Sequence, residues 1–120
     1  MNDDLTKLRD TLRAFCAERD WQRDHTPKNL AMALSVEVAE LVEHFQWSTA
    51  EESLSPDAEK KAGVADEIAD VLIYLVELAD VLGIDPLAAA RLKIAKNALK
   101  YPPPRALESE NTDNEAKAAP

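Results

Sequence analysis

A capping residue followed by proline occurs three times in this chain, as Thr26-Pro27, Ser55-Pro56 and Asp85-Pro86, each heading a stretch in which large apolar residues recur every three or four positions. Ser, Thr and Asp side chains accept a hydrogen bond from an orphan N–H of a helix's first turn, and proline at the first helical position gives up no needed donor. These signals restrict the chain to helices with defined starts. Leu5, Leu8, Leu12 and Phe15 predict a first helix from about Asp4 to Arg19; Leu30, Leu34, Val38, Leu41 and Phe45 predict a second from Pro27 to Trp47. Val64, Ile68, Val71, Leu75, Leu78 and Leu82 mark the buried side of a third from Pro56 to Leu82, stopped by Gly83, and a fourth opens at Asp85-Pro86 and ends before Pro102. Only two glycines occur in 120 residues, 46% of which are hydrophobic. The expected fold is all-α, a four-helix bundle occupying one domain over 1–104. Residues 105–120 are polar, acidic and nearly free of large apolar side chains, which predicts a disordered tail.

The net charge of −9 and a pI near 4.6 leave no basic face able to neutralise several phosphates of a duplex, so polymeric nucleic acid is excluded as a partner. A small anionic ligand would need a metal or a local lysine cluster to overcome the negative field. The single cysteine, Cys16, forms no intramolecular disulfide, and on a helical position flanked by apolar residues it reads as a core thiol. The N-terminus M-N-D-D-L has neither a basic nor an apolar leader region, and no apolar run reaches the roughly 18 residues of a membrane span, so a soluble, cytoplasmic protein is expected.

Two carboxylates break the apolar pattern of the second helix. At about 100° per residue, Glu37 falls near the middle of the apolar sector and Glu40 beside it, where an unpaired ionised carboxylate costs several kcal/mol. Glu67 and Asp70 repeat the i, i+3 spacing on the third helix, so each pair shares one face of its own helix. Each pair alone is an ordinary solvated motif. Together, inside core-like stretches, they suggest four converging carboxylates whose repulsion a hard divalent cation, Mg²⁺ or Mn²⁺, relieves. Glu43, Asp66, Glu77 and Asp80 project farther from the stripes and read as solvated.

The motifs A-E-R-D-W with H-x-P-K-N-L, E-V-A-E-L-x-E-x-F-Q-W, D-E-I-A-D-V-L-I-Y-L and K-x-x-x-N-x-x-K-Y-P span about Phe15 to Pro102. They resemble the all-α nucleotide pyrophosphohydrolases of the MazG-like group, and within it the dCTP pyrophosphatase branch. The group's signature is E-E-x-x-E, a spacer, then E-x-x-D; here Glu37 and Glu40 close the first part, 26 residues intervene, and Glu67 and Asp70 complete the second. Val36 stands where the signature has its leading glutamate, a departure the dCTP pyrophosphatase branch shares.

The resemblance implies that Glu37, Glu40, Glu67 and Asp70 hold Mg²⁺ on a nucleoside triphosphate and that metal-activated water attacks it, releasing a monophosphate and pyrophosphate in nucleotide-pool house-cleaning. It further implies that Trp21 and Trp47 sandwich the base, that Lys93, Asn97 and Lys100 contact phosphate or sugar, that Tyr74 contacts ligand, and that the chain assembles as a homodimer or homotetramer. Tyr101, His25 and Asn29 join the candidate ligand contacts. Each has a plain structural alternative: the tryptophans can cap the core, His25 and Asn29 can serve loop hydrogen bonds, and the lysines can form a solvated row. A di-iron carboxylate bundle would require Glu-x-x-His on two helices, which two histidines do not provide. A non-enzymatic helical oligomerisation module explains the apolar faces but leaves the inward carboxylates without a reason.

Overall fold

The computed structural model describes residues 3–104. Among them are four α-helices and two short 3₁₀ turns, with no strand. Helix α1 is Asp4–Glu18, α2 is Pro27–Glu43, α3 is Ala58–Val81 and α4 is Pro86–Lys100; the 3₁₀ turns are Gln22–Asp24 and Glu52–Leu54. The all-α expectation is borne out. The expected tail, 105–120, lies outside the described residues.

The caps explain where the helices start. Thr26 accepts from the Asn29 N–H and Asp85 from the N–H groups of Leu87 and Ala88, each with proline in the first turn, as expected. The third start differs. Asp57, not Ser55, caps α3 by accepting from Lys60 N–H at 2.8 Å, so the helix begins two residues beyond Pro56. An ionised carboxylate is the stronger acceptor and sits favourably at the positive end of the helix dipole. Helix α2 also ends sooner than expected, at Glu43, because the chain tightens into turns through His44 to Trp47. The following loop holds its own reciprocal cap: Glu52 N–H donates to Thr49 Oγ1 and Thr49 N–H to Glu52 Oε1.

The chain divides into two compact units, Met1–Ile84 and Asp85–Pro120. In the first, α3 is the central element, packed against α2 and α1. Both partners run antiparallel to it: a Cβ at Gly63 would meet the His44 ring at 2.9 Å while Glu37 adjoins Glu67 farther along α3, and Arg13 and Cys16 meet Asp80 and Glu77 in reverse order. Gly63 thus permits the close approach of α3 to the end of α2. In the second unit, α4 carries Lys93, Asn97 and Lys100 on one side; the Asn97 carbonyl accepts from Tyr101 N–H at 2.8 Å, and Lys100 Nζ stands 5.3 Å from the Tyr101 ring centre.

Leu30 is the most completely buried large side chain, 1% exposed, joined in the core by Cys16, Val76 and Ala79. The expected buried stripe of α3 is split. Val64, Val71 and Leu78 are partly covered, whereas Ile68, Leu75 and Leu82, each four residues on and about 40° further round the helix, are about half exposed. A 24-residue helix flanked by two others buries two separate strips, and an apolar strip between them is left facing outward.

Gly83 ends α3 in the left-handed region at φ 67°, with Gly83 N–H donating to the Asp80 carbonyl and Ile84 N–H to that of Ala79. This is a Schellman closure, which glycine enters without a Cβ penalty. Gly83→Ala should therefore lower stability by about 1 kcal/mol through backbone strain alone, since no atom lies within 4 Å of the added methyl. Chemical denaturation checks this, and an unchanged midpoint would show that the turn adjusts freely.

A carboxylate cluster beside an aromatic cleft

The α2 and α3 carboxylates converge. Oxygens of Glu37, Glu67 and Asp70 lie within 4.8 Å of one another. Glu40 adjoins both Glu37 and Glu67. Glu37 Oε2 and Glu67 Oε2 are buried and accept no hydrogen bond. Burial, then the neighbouring Glu40 and Glu67 carboxyls and the charges of Glu40 and Asp70, push the Glu37 carboxyl up to about 7. Glu67 is raised as well, chiefly by burial. Buried, unpartnered oxygens on clustered carboxylates fit a hard divalent cation, which would supply the missing partner and cancel the repulsion.

Asp70 also opens onto a cleft of about 280 Å³ lined by Thr11, Leu12, Phe15, Trp21, His25, Ile73, Tyr74 and Glu77. Its position follows from helix spacing, because Asp70, Tyr74 and Glu77 stand at i, i+4 and i+7 and share one face of α3. Trp21 is set by the end of α1. Asp20 adopts φ 55°, Asp20 N–H donates to the Ala17 carbonyl and Trp21 N–H to that of Cys16, and Arg23 pairs with the Asp20 carboxylate. This left-handed turn without glycine directs Trp21 back against Phe15, ring centres 5.5 Å apart edge to face, and to within 6.4 Å of His25. The Trp21 indole remains 46% exposed. Burial, and then the charges of Glu37, Glu77 and Asp70, hold the Tyr74 phenol above its ordinary range, so it stays a hydrogen-bond donor.

The structure therefore brings Trp21, His25 and Tyr74 to the cleft that Asp70 shares with the carboxylates. Asn29 stands apart, its amide donating to the Asp24 carbonyl at 2.9 Å and so bracing the loop before α2. Trp47 lies in the turns beyond the end of α2; it is 90% exposed and absent from the cleft lining. Lys93, Asn97, Lys100 and Tyr101 belong to the second unit.

Two expected solvated residues prove otherwise. Asp80 accepts from Arg13 at 2.8 and 2.5 Å, and that guanidinium holds its carboxyl below the usual range. Glu77 is only 11% exposed and accepts from the Cys16 thiol, 3.2 Å away, with His25 Nδ1 at 3.9 Å. Cys16 is a core thiol as expected, 4% exposed, but with polar neighbours. The signal for Glu77 was its spacing of seven from Asp70 on α3, whereas its meeting with Cys16 and His25 depended on how α1 docks. Glu43 and Asp66 are exposed, as read.

Residues 32–115 match the model of the MazG-like family. The chain belongs to the MazG-like family. It is 44% identical over 91 residues to dCTP pyrophosphatase 1 of Bos taurus and 45% identical over 92 residues to that of Homo sapiens, each match covering 73% of this chain and 53% of the relative. The chain thus spans about half the length of the curated relatives it matches. A crystal structure of a pyrophosphatase from Archaeoglobus fulgidus superposes with a TM-score of 0.80 at 46% identity, covering 86% of this chain and 96% of that one. The resemblance to the dCTP pyrophosphatase branch, seen first in the motifs, is borne out. No helix among the described residues is long and apolar enough to cross a membrane.

Proposed function

We propose that this chain hydrolyses a deoxynucleoside triphosphate, dCTP or a modified cytosine analogue, to the monophosphate and pyrophosphate, and so clears the nucleotide pool. The observation that carries the reading is the pair of orphaned, buried oxygens on Glu37 and Glu67 facing a carboxylate, Asp70, that also forms the rim of an aromatic cleft. The cleft suits a flat base, and the carboxylates suit a cation that accompanies phosphates. The names of the relatives agree with this chemistry. The same orphaned oxygens count against a purely structural oligomerisation module.

Glu37, Glu40, Glu67 and Asp70 would hold Mg²⁺, with Mn²⁺ as a substitute. When bound, the cation neutralises charge on the phosphoryl oxygens and makes a water more acidic. The residues' own task is to keep four carboxyls close in a partly dry pocket, so that charge not balanced by protons is balanced by metal. Trp21 offers its exposed face to the base, Tyr74 a phenolic donor, and His25 a ring at the cleft wall. Lys93, Asn97, Lys100 and Tyr101 are proposed phosphate or sugar contacts, and Asn29 supports the loop that carries His25. Trp47, outside its own chain's cleft, would meet a base only across an assembly.

Such an assembly, a homodimer or homotetramer, is supported by the outward apolar strip of Ile68, Leu72 and Leu75 on α3 and by Met32, Val36 and Val42 on α2, all substantially exposed. Light scattering on purified protein measures it, and a strictly monomeric species would refute it.

The deciding experiment incubates the protein with each dNTP, with and without Mg²⁺, and identifies the products. Monophosphate and pyrophosphate, formed only with the cation, support the proposal. Diphosphate with phosphate, or no turnover of any nucleotide, sinks it. Trp21→Ala should raise KM about 5- to 150-fold, the equivalent of losing one base stack of about 1–3 kcal/mol, with a smaller change in kcat. An unaltered KM would remove Trp21 from the base site.

A further inference from the structure

Cys16, His25 and Glu77 form a second constellation on the α1 side of α3, separate from the group of Glu37, Glu67 and Asp70 although His25 and Glu77 also line the cleft that Asp70 rims. One donor atom from each lies within 4.8 Å of the other two. The Cys16 thiol donates to Glu77 Oε1 at 3.2 Å, while His25 Nδ1 stands 3.9 Å from Glu77 Oε2, too far for a hydrogen bond. That second oxygen is buried and has no partner. A buried carboxylate oxygen without a donor is costly and calls for an occupant. Beside the three residues is a cavity of about 90 Å³, also lined by Arg9, Arg13, Gln22 and Asp80. Its two arginines are already engaged, Arg9 with Asp10 and Arg13 with Asp80, so they do not leave a bare positive field over the carboxylate.

We propose that Cys16 Sγ, His25 Nδ1 and the Glu77 carboxylate bind a divalent transition metal of the zinc class, at a site distinct from the four carboxylates. The donor set decides the class. Sulfur and imidazole nitrogen favour zinc-like ions over Mg²⁺ and Ca²⁺, which take oxygen. The spacing is close to what is needed: metal–ligand distances of 2.0–2.3 Å place tetrahedral donors roughly 3.3–3.8 Å apart, and with Cys16 Sγ 3.2 Å from Glu77 Oε1 and His25 Nδ1 3.9 Å from Glu77 Oε2, the carboxylate must turn to present one oxygen to both. The thiol and imidazole donors lie within 4.8 Å of each other as well. The cavity leaves room for water as the fourth ligand. Binding forms bonds from metal to sulfur, nitrogen and oxygen and releases one proton, that of the thiol, to the buffer. Burial and Glu77 hold the thiol up to about 11, so this proton is present on the metal-free protein at neutral pH. A bound ion would tie the last turn of α1 and the loop before α2 to the middle of α3.

The test strips the full chain of metal and titrates it with Co²⁺ in excess Mg²⁺, which is there to occupy oxygen-only sites. The expected result is a thiolate-to-cobalt charge-transfer band that saturates at one equivalent and is erased by Zn²⁺. Cys16→Ala should abolish the band and Glu77→Gln should weaken Co²⁺ binding at least about tenfold, whereas Glu67→Gln should leave both unchanged. Zn²⁺ should raise the melting temperature of the wild type and not of Cys16→Ala, because a ligand that binds only the folded state stabilises it. The wild-type spectrum does not depend on how any variant folds: saturation with Co²⁺ and no thiolate band overturns the proposal. So does a Co²⁺ signal that persists in Cys16→Ala and disappears in Glu67→Gln, which would place the ion on the four carboxylates.

Discussion

Asp70→Asn is expected to reduce Mg²⁺-dependent turnover about 1,000-fold, a loss of about 4 kcal/mol of transition-state stabilisation, without destabilising the metal-free fold. Asp70 is the residue common to the carboxylate cluster and the cleft, so it bears on the cation and on whatever the cleft holds. Replacing it removes one of the charges that push Glu37 and Glu67 up, and the apoprotein should become no less stable as a result. A linked pH effect has a definite sign. Glu37 holds its proton more tightly in the folded chain, at about 7, than an ordinary carboxyl at 4.5. The folded state binds more protons across that window, so in EDTA stability should fall as pH rises from about 4.5 to 7. Added Mg²⁺ should restore it at the upper end. Steady-state kinetics and melting curves with and without chelator test the two halves. Near-normal turnover in Asp70→Asn would break the assignment of this carboxylate to the cation.

Leu30→Ala should cost about 3 kcal/mol and lower the melting temperature by roughly 10–20 °C. Leu30 sits in the first turn of α2, its N–H donating to the Thr26 carbonyl at 2.9 Å, and it is the most completely buried large side chain in the fold. The buried core of the described residues is small, with only Cys16, Val76 and Ala79 beside it. Thermal unfolding followed by circular dichroism reads the effect directly. A loss below about 1 kcal/mol would mean that neighbouring side chains collapse into the space, because the cavity contribution depends on how far the surroundings relax.

Helix identity was legible in the chain because its causes are local. Thr26-Pro27 and Asp85-Pro86 start helices through contacts no more than three residues long, and Gly83 ends one by its own φ. Ser55-Pro56 misled for an equally local reason, since Asp57 two residues later is the better acceptor. The inward pairs Glu37–Glu40 and Glu67–Asp70 could also be read from helical period, because a charge in an apolar sector is anomalous wherever the helix later docks. Burial along α3 was another matter. Ile68, Leu75 and Leu82 satisfy the same periodicity as Val64, Val71 and Leu78, and only the docking of α1 and α2 on particular faces separates covered from uncovered residues.

By itself, then, the order of residues determined the helices, their caps and the two carboxylate pairs, because hydrogen-bond range and helical period act within a few positions along one element. The tertiary structure alone decided that α2 and α3 set those pairs face to face, that Trp21 folds back across α1 beside Tyr74 and Asp70, and that Glu77 turns from an apparent surface carboxylate into a buried partner of Cys16 and His25. These are contacts between residues up to 61 positions apart, and their distances follow from how whole helices pack rather than from any residue's neighbours in the chain.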